Sequence, residues 1–298
     1  MTGTSHAKII LIGEHSVVYG HKAIAIPVFE LTTRCSLKVR KENHVTSALY
    51  TGPFTDLPET MDPLKKLAES LQNTFDLPKH EHIIESDIPV GAGFGSSAAL
   101  ATSVVRAYDT KYDLKIDDDA LFKWVQYFER LTHDNPSGID ALTVIHDTPW
   151  IFSKEGKTPL PMHLGAYLVI ADTLERTPTK ESVSHVASLS GEPFFTPTLN
   201  RLGALGEKAI TAIRDNDVHT LATLMTRFME GLSQLNLSTE KTEDYIETAI
   251  NHGALAAKLT GGGMGGCVIA LAETLSTAKA IEKALEETHG APVWISTL

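Results

Sequence analysis

The residues that first suggest chemistry in this 298-residue chain are the glycines of PVGAGFGSSAAL, at positions 91, 93 and 95, followed by Ser96 and Ser97. Without Cβ atoms, successive backbone N–H groups can converge on an anion, and a helix opening at Ser96 adds the positive end of its dipole. Gly91, Ala92, Gly93, Phe94, Gly95, Ser96 and Ser97 are therefore candidate phosphate-binding residues. A nucleotide-binding P-loop closes on G-K-[ST] and carries its own lysine. Here Ser96 and Ser97 directly follow Gly95, so the cation has to come from elsewhere in the chain. Read blandly, the loop is a turn of small residues. A dinucleotide fingerprint fits poorly, because the run is G-x-G-x-G and only the polar turn Lys111 to Asp113 stands where the acidic ribose ligand is expected.

Four further features could carry chemistry. Asp140, in DNPSGID, enters the apolar run Ala141 to Ile145, where a carboxylate is costly unless paired; spacing alone favours the plainer role of capping a helix that begins there. Lys8 precedes the apolar run Ile9 to Ile12 and reads by itself as a snorkelling surface lysine. Glu14 and His15, in GEHS, read as turn residues or ligands. The segment TGGGMGGC has five glycines in six positions, which no stable helix or strand interior tolerates; Gly261, Gly262 and Gly263 make close approach to another backbone or to a ligand. The thirteen histidines show no H-E-x-x-H spacing, which argues against a zinc site. GFGSS lacks the last glycine of a G-x-S-x-G nucleophile elbow.

These residues need elements to hold them. KIILI reads as a buried strand and residues 23 to 40 as one or two more. In 61 to 75, Leu64, Leu67, Ala68 and Leu71 recur at helical spacing, with Asp62 as N-cap and Pro63 at the first helical position. HIIES is a strand that delivers the chain to the glycine loop, and SSAALATSVVRAYD a helix that leaves it. In DDALFKWVQYFERLTH an apolar stripe runs through Leu121, Trp124, Val125, Phe128 and Leu131, with Glu129 at its edge. Beyond residue 160 the pattern is a strand (AYLVIAD), three or four helical segments across 180 to 253, the TGGGMGGC strand pair, a helix, and a last strand near PVWIS. The alternation suggests an α+β chain of two domains, 1–160 and 161–298.

Composition narrows the function classes. A net charge of −11 without a Lys/Arg cluster argues against a nucleic-acid partner. The opening apolar run is short for a signal peptide, and no run approaches the ~18 to 20 residues of a membrane span. Two widely separated cysteines, Cys35 and Cys267, suggest neither a disulfide framework nor a metal pattern. A reducing cytoplasm is the simplest setting, and a homodimer the commonest default among oligomers.

Taken together, KIILIGEHSVVYG, PVGAGFGSSAA and KLTGGGMGGCVIAL resemble, in order and approximate spacing, the three motifs of the GHMP kinases. They span residues 8 to 271. Within that family GEHSVVYG, NPSGID at 135 to 140 and DTLERTPTKESV at 172 to 183 are similar to the members that act on mevalonate. Phe94 stands where leucine is usual, and Asp134 precedes NPSG where glycine is common.

The resemblance implies an N-terminal ribosomal-protein-S5-like domain, a C-terminal ferredoxin-like domain and an active site between them. It implies transfer of the γ phosphoryl of ATP to the primary hydroxyl of mevalonate, with Mg²⁺ as cofactor. Gly91 to Ser97 would wrap the ATP phosphates, Asp140 would face the substrate hydroxyl, and Lys8 would lie beside Asp140 and the γ phosphate. Ser97 and Glu129 would hold Mg²⁺, Glu14 and His15 would border the mevalonate site, and Gly261 to Gly263 would form a supporting loop. Two rivals are a related kinase acting on phosphomevalonate, for which Lys154, Lys157 and Lys180 are the available extra cations, and a catalytically silent nucleotide sensor, which could dispense with Lys8, Glu129 and Asp140.

Overall fold

The computed structural model describes residues 1–133 and 136–298. In chain order its elements are β1 (Thr2–Ile12), β2 (Ala23–Val39), β3 (His44–Thr46), β4 (Thr51–Pro53), α1 (Asp62–Phe75), β5 (His80–Ser86), α2 (Ser96–Tyr112), α3 (Asp118–Thr132) and α4 (Ile139–Ile145). Then follow β6 (Trp150–Ser153), β7 (Gly156–Pro159), β8 (Tyr167–Asp172), α5 (Thr179–Ser188), α6 (Phe195–Arg214), α7 (Val218–Gln234), α8 (Glu240–Asn251), β9 (Ala256–Thr260), β10 (Cys267–Ala272), α9 (Leu275–His289) and β11 (Val293–Thr297). The chain divides into two compact units, neither continuous in sequence. One comprises Met1–Lys8, Pro27–Val90 and Phe94–Asp147, the other Ile9–Ile26, Gly91–Gly93 and Thr148–Leu298.

In the first unit the strand order is β4-β3-β5-β2. The β3–β5 pair is parallel, while β2 runs antiparallel to β5 from Thr33 opposite Ser86 to Val39 opposite His80. β2 is a single seventeen-residue strand, because its β-branched residues continue through Pro27 without a turn signal. Helix α1 buries the Leu64, Leu67, Ala68 and Leu71 stripe as its spacing predicts. Its start differs from expectation: Met61 occupies the N-cap position without a side-chain cap, and Asp62 is already helical with Pro63 after it. Asp117 caps α3 by accepting from the Ala120 amide at 2.8 Å. Asp134 and Asn135, which open the DNPSGID segment, lie outside the described residues.

The core of this unit also contains a polar ladder. His82 donates from Nδ1 to the His44 carbonyl at 3.3 Å, which leaves Nε2 bare to accept the Tyr108 hydroxyl at 2.9 Å. Tyr108 in turn accepts from the Gln72 amide at 2.8 Å, and His80 meets the Tyr112 hydroxyl at 2.6 Å. Burial pushes the His80 and His82 imidazoles down to about 4.

In the second unit the antiparallel sheet β11-β8-β10-β9 carries α8 and α9 on one face, through a core that includes Val169, Val268, Tyr245, Ile281 and Leu285. Helix α7 packs against β9 and α6 against α7. β6 pairs with the first residues of β2, Ala23 to Ala25, and with β7. Four helices fill residues 179 to 251, the upper end of the three or four expected. No helix among the described residues is long and apolar enough to cross a membrane.

Candidate active site

Within the first unit, β1 delivers Lys8 to the second half of the glycine loop. The Lys8 amide donates to the Phe94 carbonyl at 2.9 Å, and its ammonium lies 2.9 Å from Asp140 Oδ1. Only 4% of Lys8 is exposed, so the snorkelling reading of this residue is wrong: the carboxylate partner lets the ammonium stay inside. Asp140 does not cap α4. Gly138 takes the N-cap position with φ 81, which puts Asp140 in the first turn with its side chain free to meet Lys8. The lysine stem lies across Gly95, whose φ is +70; a Cβ built there would stand 3.0 Å from both Cγ and Cε of Lys8. Only glycine combines that left-handed backbone with that contact.

Helix α2 starts at Ser96, so its first amides lack intrahelical acceptors and face the loop end with the positive pole of the dipole. Its second residue, Ser97, donates its hydroxyl to Glu129 Oε1 at 2.5 Å. Glu129 is 4% exposed, not at the edge of the α3 stripe, because Ser97 gives its carboxylate a partner in the interior. Burial raises its pKa, and the nearby Asp140 pushes the same way, against the Ser97 hydrogen bond and the opposing influence of His133 and Lys8. A buried carboxylate that favours protonation is a carboxylate short of cation. Together with a serine oxygen it is a hard-oxygen donor pair, which is the chemistry Mg²⁺ prefers, with phosphate and water completing its shell. Among the described residues no three His, Cys, Asp or Glu side chains gather as a metal cage, so the donor pair suits an ion brought in with phosphates.

Within the second unit, the first half of the loop is seated on the other glycine segment. Cys267 Sγ donates to the Ala92 carbonyl at 3.4 Å, and Gly93 Cα approaches the Gly261 Cβ position at 4.0 Å. A Cβ at Gly91 would stand 3.6 Å from Cδ of Arg176, whose guanidinium forms a two-pronged pair with Asp172, both bonds 2.7 Å. Three of the glycines in this segment answer to packing: a Cβ at Gly263 would meet the Leu237 carbonyl at 2.9 Å, one at Gly262 the Ser182 hydroxyl at 2.7 Å, and one at Gly265 Cβ of Glu175 at 2.8 Å.

The GEHS corner belongs to this unit too. His15 has φ 57 and its Nε2 lies 2.8 Å from the Gly262 carbonyl. A carbonyl only accepts, so the proton sits on Nε2 and Nδ1 is bare; burial holds the ring below its usual pKa and therefore neutral at pH 7. Glu14 points into the interior, where it pairs with Lys258, both side chains wholly buried. Burial pushes the Glu14 carboxyl up and the Lys258 ammonium down, each opposed by its partner.

Lys258, Asp172 and Arg176 escaped the sequence reading. The signal for Lys258 was a lone lysine inside the apolar strand AAKLT, which demands a partner. For Arg176 it was the i, i+4 spacing to Asp172, across a turn rather than along a helix.

The GHMP kinases N terminal domain family matches residues 62–147, and the GHMP kinases C terminal family residues 209–291. The chain is 32% identical over 292 residues to the mevalonate kinase of Pyrococcus furiosus, covering 89% of this chain and 87% of that one. It is 28% identical to the mevalonate kinase of Aeropyrum pernix, covering 95% and 92%. Its fold matches the crystal structure of the Methanococcus jannaschii mevalonate kinase with a TM-score of 0.87 at 22% identity, over 100% of this chain and 98% of that one. That likeness bears out the two-part α+β architecture, and with it the three motifs, both family matches and the identity to curated relatives say one thing: this chain belongs to the GHMP kinase family, in the branch of the mevalonate kinases.

Proposed function

We propose that this protein transfers the γ phosphoryl group of ATP to the primary hydroxyl of mevalonate, giving 5-phosphomevalonate and ADP for isoprenoid synthesis in the cytoplasm. The observation that carries the reading is the Lys8–Asp140 pair, 2.9 Å apart, on a lysine whose amide is bonded to the phosphate loop. Phosphoryl transfer asks a protein to position two reactants and to neutralise charge on the group in flight. In this assignment the amides of Gly91 to Ser97 and the start of α2 hold the phosphates, and Lys8 supplies the positive charge that the loop itself lacks. Asp140 accepts the hydrogen bond of the substrate hydroxyl, orients it toward phosphorus, and takes its proton as the new P–O bond forms. The Lys8 ammonium, 2.9 Å from Asp140 Oδ1, holds the carboxylate in place while its oxygens accept.

Ser97 and Glu129 would hold Mg²⁺, which when bound neutralises phosphate charge. Burial disfavours the charge on Glu129, and a bound cation would offset that cost. Of the two residues read as bordering the mevalonate site, His15 offers bare Nδ1 as an acceptor for a substrate O–H, while the Glu14 carboxylate is turned inward onto Lys258. The Arg176 guanidinium, fixed by Asp172, adds a cation beside Gly91.

An ADP-release assay with mevalonate, phosphomevalonate, galactose and homoserine tests the reading. Turnover concentrated on mevalonate is expected. Preference for phosphomevalonate would move the assignment to the related kinase, and no turnover of any of the four would end the enzyme reading.

A further inference from the structure

The buried pair Lys258–Glu14 is not used by the chemistry above, and its surroundings assign it a task. Three side-chain bonds join the segment Ile10–His15 to the segment Lys258–Gly262. Thr260 Oγ1 donates to the Ile10 carbonyl at 2.7 Å, Lys258 Nζ donates to Glu14 Oε1, and His15 Nε2–H donates to the Gly262 carbonyl at 2.8 Å. Lys258 and Thr260 are two apart on β9, so they share a face. The ammonium is satisfied on all sides: it also donates to the Leu259 carbonyl at 2.6 Å and lies 5.6 Å from the centre of the Phe228 ring. The carboxylate is not, since Glu14 Oε2 is buried without a hydrogen-bond partner.

A wholly buried ion pair with one oxygen unsatisfied is a poor way to gain stability, because the desolvation of two charges offsets most of their attraction. It is a good way to specify register. The residue that follows Glu14 needs that help, because His15 holds a left-handed φ of 57, a strained state for a side-chain-bearing residue that persists only when its surroundings impose it. Nδ1 of His15 makes no hydrogen bond among the described residues.

We propose that Lys258 is a positioning residue for the alcohol substrate: by anchoring Glu14 in the interior it fixes the left-handed corner at His15, which keeps the imidazole bonded to Gly262 through Nε2–H and its bare Nδ1 turned to the substrate hydroxyls. This rests on the reading that His15 borders the alcohol site.

The test uses Lys258→Met and the charge-neutral pair Glu14→Gln with Lys258→Met. The single variant strands a buried carboxylate and is expected to lose stability; the double variant carries no buried charge and is expected to fold. In the double variant the KM for mevalonate rises about tenfold or more, as a misplaced contact residue implies, while the KM for ATP and kcat at saturation stay within about threefold. Nitrogen NMR of the His15 ring then shows loss of the single Nε2–H tautomer. A folded double variant with unchanged KM for mevalonate and an intact Nε2–H signature would overturn the proposal and leave the pair a structural feature only. A lost tautomer with unchanged KM would uphold the positioning and overturn the placement of His15 at the substrate, so the two failures are told apart. An intact tautomer with a raised KM overturns the proposal, since Lys258 would then act by another route.

Discussion

Replacing Gly95 by alanine tests the geometry around Lys8 without touching a charged group. A Cβ at this position stands 3.0 Å from both Cγ and Cε of Lys8 and 3.6 Å from Cδ, closer than ordinary van der Waals contact, so the lysine stem has to retreat by a few tenths of an ångström. It has little freedom to do so: its amide is bonded to the Phe94 carbonyl at 2.9 Å, it is 4% exposed, and its ammonium ends on Asp140. The displacement is passed to the Lys8–Asp140 contact. Gly93→Ala is the matched control, because its φ is +86 against +70 at Gly95, yet a Cβ there meets nothing within 4 Å. Both variants pay the left-handed backbone penalty of about 1–2 kcal/mol, and thermal unfolding should show similar losses. Only Gly95→Ala disturbs the reacting groups. Since misplacement by a full ångström is worth about a hundredfold in rate, a shift of a few tenths is expected to lower kcat by roughly tenfold relative to Gly93→Ala, measured by ADP release at saturating ATP and mevalonate. Equal kcat for the two folded variants would refute the argument that the Lys8 stem, and not the loop backbone, makes Gly95 necessary.

Lys8→Met and Asp140→Asn should each lower kcat by ~10² or more, the usual worth of a positioned acid–base group, while calorimetry still detects ATP binding; near-native turnover in either would remove that residue from its role. Glu129→Gln should raise the Mg²⁺ concentration needed for half-maximal activity. In chelator it should leave the protein no less stable, because burial raises the carboxyl pKa, and a raised pKa means the charged form disfavours folding at neutral pH. A marked loss of stability in chelator would contradict this. His80 and His82, pushed down from 6.5 to about 4, bind protons more readily in the unfolded chain, so their contribution to stability is present above pH 6.5 and is lost as pH falls toward about 4. Unfolding free energy between pH 6 and 5 should fall by up to about 2.7 kcal/mol per pH unit for these two groups, with His6, His15 and His289 adding to the same sign; a slope below about one proton would show that the ladder tolerates charge.

What the sequence disclosed was local. The strand, glycine loop and helix over 80 to 112, the α1 stripe and the α3 stripe all follow from periodicity and turn chemistry acting on near neighbours. Which groups meet was a different matter. Lys8 and Asp140 are each unremarkable in their own segment, and only the family resemblance placed them side by side. Glu129 sat at the edge of its stripe because a helical wheel counts apolar neighbours and could not include Ser97, thirty-two positions away. Lys258 and Glu14 lie 244 positions apart, and neither has a local motif that demands the other. Each compact unit gathers separated stretches of chain, a division that leaves no shift in composition to read. The run of glycines over 261 to 266 left backbone and ligand as equal readings, and the backbone contact at Gly263 is made by the Leu237 carbonyl, twenty-six positions away, which no local pattern could supply.

The central claim is a phosphoryl transfer from ATP to the mevalonate hydroxyl, oriented by Asp140 and assisted by Lys8. Phosphorus NMR of wild type and Asp140→Asn, each with ATP, Mg²⁺ and mevalonate, tests it most directly. The account predicts a phosphate monoester and ADP appearing in equal amounts with wild type, and the same product at least about a hundredfold more slowly with Asp140→Asn. ADP accompanied by inorganic phosphate alone, or monoester formed equally fast by both proteins, would contradict it.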